Sequence, residues 1–241
     1  MLALLIYQAG WQASSFLYLN HLTQALPNRF WAALTFLGNG WGAFAIAFPL
    51  LILAPRLLTA GLFAGAISGI ATAILKPLFS LPRPANLLAD GSFNRVGELL
   101  LNNSMPSGHT LTAFAIASAL YLSYSPKHKK ALLILFILAT FVGVSRIAVG
   151  AHWITDVLTG MGAGLWCGML GAKLASRIPD AHLLPNKIWP RTIALSGVLA
   201  AYALLTQTMD IDLNQVLQYV GVFIILITLG LFLKSQSNRA I

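Results

Sequence analysis

Apolar stretches, each close to the roughly 20 residues that a membrane-spanning helix needs, follow one another along this chain with short polar joints between them. They predict spans at residues 36–54, 57–79, 107–125, 131–149, 152–174, 190–207 and 214–233. The first is interrupted by Gly38, Asn39 and Gly40 and ended by Pro55 and Arg56, so six to seven crossings are expected. Residues 1–35 read differently: Gln8, Gln12, Asn20, His21 and Gln24 break up the apolar positions and Pro27 ends the stretch, which predicts an amphipathic helix lying in the interface. The expected organisation is an interfacial segment at 1–35, a core at 36–176 and two additional transmembrane helices within 177–241.

Composition agrees with the pattern. Of 241 residues, 58% are hydrophobic and 9% charged, and the mean hydropathy is +0.78, which excludes an ordinary soluble domain. The fold class expected is therefore all-α, a polytopic transmembrane helix bundle. A net charge of +9 raises nucleic acid as a partner, but the 15 Lys and Arg residues sit at segment ends rather than on a basic, aromatic-interleaved surface, so no nucleic acid is expected. Cys167 stands alone inside an apolar run, as a small packed residue, without disulfide or Cys-based metal spacing. The first six residues are apolar and lack a basic region or cleavage site, so no signal cleavage is expected.

Positive joints set the expected orientation. Arg56, then Lys127, Lys129 and Lys130, then Lys173, Arg177, Lys187 and Arg191, then Lys234 and Arg239 fall on alternate joints, which should face the cytoplasm. The joints at 80–106, 146–152 and 210–212 should face the other side. Cations in the first two of these run against the orientation rule, and a bound anion would explain them.

Three blocks supply the chemistry: Lys76 and, after six residues, Arg83 with Pro84; Pro106, Ser107, Gly108 and His109; and Ser145 and Arg146 followed by His152 and Asp156. His152 and Asp156 are four apart, on one face of any helix starting near Gly150. A carboxylate on one imidazole nitrogen fixes the tautomer and leaves the other as a nucleophile. A helix-capping aspartate beside an interfacial histidine would explain that pair alone equally well. Ser107 is a favoured N-cap, and the free N–H groups behind it, with Gly108 allowing close approach, make an anion site into which His109 projects as a candidate general acid. Lys76, Arg83 and Arg146 suit phosphate oxygens; singly, each could snorkel at a membrane boundary.

In this order and spacing the blocks resemble the signature of the type 2 phosphatidic acid phosphatase superfamily, to which vanadium haloperoxidases also belong. The resemblance implies a helical core of that type and a metal-independent membrane phosphatase without cofactor. The residue matching His152 would attack phosphorus and become phosphohistidine, with Asp156 orienting it and His109 protonating the leaving group. Lys76, Arg83, Ser107, Gly108 and Arg146 would hold the phosphoryl oxygens. The implied partners are a membrane lipid phosphate and the bilayer, in a bacterial inner membrane with the site facing outward. Candidate substrates are an undecaprenyl-type diphosphate, favoured on the family's habits, phosphatidylglycerophosphate, phosphatidic acid and lipid A 1-phosphate. One alternative is phosphotransfer to another lipid, since residues 93–100 look like a stretch found in lipid A phosphotransferases; Arg95 and Glu98 within it would more simply form an i,i+3 surface pair. A second is anion binding or transport without chemistry, which would not require His109, His152 and Asp156 and is accompanied by no pairing of similar halves.

Overall fold

A computed structural model describes residues 10–124, 130–209 and 211–237 of the chain. Expectations resting on Gln8, Lys127, Lys129, Asp210 and Arg239 lie outside the described residues. All the regular structure described is helical: α1 Gln12–Thr23, α2 Asn28–Gly38, α3 Gly40–Ala47, α4 Pro55–Phe79, α5 Gly108–Ser123, α6 Leu133–Ala148, α7 Ile154–Ser176, α8 Ile188–Thr206 and α9 Gln215–Ser237, with single turns at Leu50–Leu53 and Pro84–Leu87. The molecule is an all-helical integral membrane bundle.

The described residues do not confirm six to seven crossings. Among the described residues α4, α7, α8 and α9 lie in four stretches long and apolar enough to cross a membrane, and α2 with α3 would make a fifth as a pair bent by 77°. α5 and α6 have 16 residues each, about 24 Å of helix at 1.5 Å per residue, short of a hydrocarbon core of about 30 Å. The bend has a local cause. Asn39 is extended (φ −70°, ψ 134°) and closes α2 while its Oδ1 accepts the N–H groups of Trp41 and Gly42, at 3.0 and 3.4 Å, to start α3. α2 also begins eight residues before the predicted boundary at Phe36, directly after Pro27, whose fixed φ suits a helix start.

α4, α5 and α7 form the centre of the bundle. What lets them approach is a stripe of glycines four residues apart on α7. A Cβ on Gly160, Gly164 or Gly168 would lie 2.8, 2.5 and 2.5 Å from the carbonyl oxygens of Ser107, at the N-cap of α5, and of Leu111 and Ala115 within it. Gly171 abuts Ala64 of α4 in the same way. Small residues at this spacing allow backbone-to-backbone packing in a medium where lipid competes for every larger apolar contact. α8 and α9 pack on α3 through a second cluster that includes Phe36, Phe48, Leu204, Ile225 and Phe232.

The two ends of the bundle differ in chemistry. At one end Arg56 opens α4 and donates to Ala175 O, Ile178 O and Asp180 Oδ1 at 2.7, 2.8 and 2.6 Å, which satisfies carbonyls left open where α7 stops. Arg191 donates to Gln236 Oε1 there as well, joining the start of α8 to the end of α9. The three motif blocks meet at the opposite end.

The glycine stripe yields a sign-specific prediction. Gly164→Ala should lower the thermal midpoint of the purified protein in detergent, by overpacking worth about 1–3 kcal/mol. Gly162→Ala, whose Cβ would meet nothing within 4 Å, should leave the midpoint unchanged or slightly raised. Equal effects would mean that α5 and α7 do not touch along this stripe.

Candidate active site

His152 lies in the short link between α6 and α7, where Ala151 and His152 donate their N–H groups to Arg146 O at 3.0 and 3.2 Å. This turn carries the imidazole beneath the last turn of α6, and only 2% of it is exposed. Its Nδ1 is 3.3 Å from Asp156 Oδ2, and its Nε2 is 3.3 Å from Arg83 Nη1. Because a guanidinium N–H can only donate, Nε2 must present its lone pair and the ring proton must sit on Nδ1, facing the carboxylate. Burial, and after it the charges of Arg83, Arg146, Lys76 and His109, hold the imidazole well below the usual histidine range, so the ring is neutral.

Asp156 is fully buried in the first turn of α7. Its Oδ2 also accepts Ser104 Oγ at 2.5 Å and the Trp153 N–H at 2.9 Å, the latter closing the capping box of α7. The carboxylate is thus aimed by two donors besides the imidazole. Trp153 is fixed in turn by its indole N–H on Pro82 O, 2.8 Å away, and by an edge-on Phe16 ring.

Arg83 is 5% exposed and is held by backbone: Nε donates to Asn102 O at 2.9 Å and Nη1 to Ala151 O at 3.0 Å. The loop that brings it in is itself fastened, with Arg83 N donating to Leu101 O and Ser104 N to Leu81 O. Arg146, in the last turn of α6, is 3% exposed. Lys76, in the last turn of α4, and His109, in the first turn of α5, are half-buried and close enough to His152 to act on its charge. The second block is joined to the third by backbone, Ser107 N donating to Asp156 O at 3.0 Å.

Ser107 stands at the N-cap of α5, but its side chain makes no cap bond there; its Oγ accepts the Thr110 hydroxyl at 2.9 Å. Gly108 faces Thr72 of α4, 3.3 Å from where its Cβ would be. The expected Arg95–Glu98 surface pair does not form. Residues 93–100 are non-helical, so the i,i+3 geometry is absent, and both side chains instead line a cleft with Arg146, Gly150, Ala151 and Ile211.

Several residues that build the site carried no signal in the sequence reading. Asn20 of α1 is 1% exposed and donates to Ile147 O and Ala148 O, at 2.9 and 3.2 Å, capping the end of α6 just beyond Arg146, while its Oδ1 accepts Asn94 N–H. Ser104 and Thr35 are ordinary hydroxyls whose importance appears only in three dimensions. The stripe at 160, 164 and 168 was readable as small residues at helical spacing.

Fold and site together define a helical membrane protein with a buried histidine–carboxylate pair facing a cluster of cations at one end of the bundle. The chain belongs to the PAP2 superfamily, whose family model matches residues 56–179. It is 44% identical over 76 residues to the lipid A 1-phosphatase of Porphyromonas gingivalis, 32% of this chain and 17% of that protein. It is 38% identical over 69 residues to phosphatidylglycerophosphatase B of Bacillus subtilis, 26% of this chain and 34% of that protein. The chain thus spans only 17% and 34% of the length of these two curated relatives. The crystal structure of Aquifex aeolicus LpxE is similar at a TM-score of 0.58 and 30% identity, covering 68% of this chain and 95% of that one.

The tautomer is measurable directly. In protein labelled with 15N-histidine, the His152 ring should show the neutral, Nδ1-protonated pattern at pH 6, since a lowered value keeps the neutral form down to more acidic conditions. A ring that is already half protonated near pH 6.5 would contradict the burial and charge described.

Proposed function

We propose that this chain is an integral-membrane lipid phosphatase that hydrolyses a phosphate ester at a lipid headgroup through a phosphohistidine on His152. The observation that carries the reading is the orientation of His152, with Nδ1 on Asp156 and the Nε2 lone pair turned toward Arg83. The Nε2 lone pair attacks phosphorus in line with the ester oxygen, and the phosphorus–oxygen bond breaks as His109 gives that oxygen a proton. Water then attacks the phosphohistidine, His109 taking its proton, and inorganic phosphate leaves with Nε2 free again. Lys76, Arg83 and Arg146 stabilise the charge that spreads over the equatorial oxygens in both steps. Ser107 and Gly108 contribute the start of α5, whose first N–H groups point at the same anion. Asp156 keeps the ring oriented and supports the positive charge it acquires.

Three cations gathered at the site would repel a divalent ion, which favours chemistry without metal. Among lipid phosphates, the identity to a lipid A 1-phosphatase favours a sugar-linked phosphate, and the cleft beside Arg146 offers both a cation, Arg95, and a carboxylate acceptor for hydroxyl groups, Glu98. The positive joints at the far end of the bundle support a site facing away from the cytoplasm. The headgroup would reach it from the outer leaflet while the tail stays in the bilayer.

The test is phosphate release by the purified chain in detergent, with chelator present, from lipid A, phosphatidylglycerophosphate, phosphatidic acid and undecaprenyl diphosphate. Release from at least one lipid is expected, abolished in His152→Ala and reduced by about a hundredfold or more in His109→Ala, within the usual worth of a general acid. Turnover retained in His152→Ala would falsify the nucleophile. If the cleft reads a sugar headgroup, Arg95→Ala and Glu98→Ala should raise KM for lipid A while leaving phosphatidic acid unaffected; equal change on both lipids would remove that role.

A further inference from the structure

Arg146 reaches past its own helix to α2, which lies outside the residues matched by the family model. Its Nη1 is 3.3 Å from Thr35 Oγ1, and that oxygen is 2.9 Å from Ser145 Oγ, which donates to Val142 O at 2.7 Å. Thr35 and Ser145 are both fully buried. Each hydroxyl has one proton, so the chain of bonds has one direction. Ser145 spends its proton on Val142 O and must accept from Thr35; Thr35 therefore turns a lone pair to Arg146, which can only donate. The direction runs from guanidinium to threonine to serine to helix carbonyl.

The scaffold under Thr35 is stiff. Trp31, one turn earlier, donates its indole N–H to Thr23 O at 2.8 Å and packs with Ala32 against Ala148, Val149 and Ile211. One turn later α2 ends against the catalytic helix: a Cβ on Gly38 would lie 2.9 Å from His109 Cβ. α2 is therefore seated between two residues of the site, and it offers a polar atom to one of them.

We propose that Thr35 is a positioning residue for Arg146, fixing the guanidinium where it grips the phosphoryl oxygens. The inference rests on the phosphate-binding role given to Arg146 above. A buried guanidinium on a long flexible stem loses affinity for an anion if its direction is unset, and the Thr35 lone pair sets it within a hydrogen-bond chain that permits only one polarity.

The experiment uses the full purified chain and two readouts: binding of orthovanadate by calorimetry, which needs no knowledge of the lipid, and kcat/KM on the lipid hydrolysed in the panel above. Thr35→Val, which keeps the shape and removes the hydroxyl, should weaken orthovanadate by about tenfold, the worth of one charge-assisted hydrogen bond, and lower kcat/KM to a similar degree. Thr35→Ser should restore both to within about twofold, since it returns the hydroxyl. In an Arg146→Ala background Thr35→Val should add nothing. Should Thr35→Val fail to insert, Thr35→Ser against Thr35→Ala decides, because that pair differs by the hydroxyl alone. Wild-type vanadate affinity in Thr35→Val, or equal impairment in the serine variant, overturns the proposal while leaving the phosphatase reading intact. Unaltered vanadate binding in Arg146→Ala overturns it by removing Arg146 from the phosphate site, even where His152→Ala still abolishes turnover.

Discussion

The close contact of α5 with α7 is the constraint on which the rest of the structure depends. Where Gly160 passes beneath Ser107, the backbones are near enough for Ser107 N to donate to Asp156 O. That single approach joins the second and third sequence blocks through residues 49 positions apart, Ser107 and Asp156. With the helices one side chain further apart, His109 and His152 would face different spaces. In a bilayer this contact rests on van der Waals fit, because no water is released from between helices already in lipid. Glycine is the residue that makes such fit available without rearranging either backbone.

Around that contact the protein assembles an unusual amount of positive charge in a place sheltered from water. Arg83 and Arg146 are almost wholly buried, and the protein meets their cost with carbonyl oxygens of the loop and of the α6–α7 link, and with a threonine from α2. Burial, and after it the same charge that would serve an anionic ligand, holds the His152 imidazole well below the usual histidine range. On the proposed reading, the cations that would hold an anion also help keep the buried imidazole neutral.

The family blocks were legible in the sequence because charged and titratable side chains, Lys, Arg, His and Asp, stand out among apolar neighbours. The helical class and the break at Gly38, Asn39 and Gly40 were legible for the related reason that apolar length and glycine-rich joints have few other meanings. The early start of α2 was hidden by Asn28 and Arg29, which look like a polar boundary but occupy its first turn. Asn20, Thr35 and Ser104 were illegible, since a lone amide or hydroxyl acquires its role from a partner over fifty positions away. Arg95 and Glu98 misled because the i,i+3 rule presumes a helix that the loop does not form.

Arg83 carries a further consequence. Its guanidinium is held by the protein itself, with Ala151 O and Asn102 O on two of its nitrogens and the His152 imidazole on one of them. If Arg83 holds a phosphate as proposed, that phosphate would compete with bonds the protein has supplied to itself. On the proposed reading, an anion that brings anchoring from elsewhere, as a lipid phosphate does through its tail, would displace these bonds more readily than a free inorganic ion.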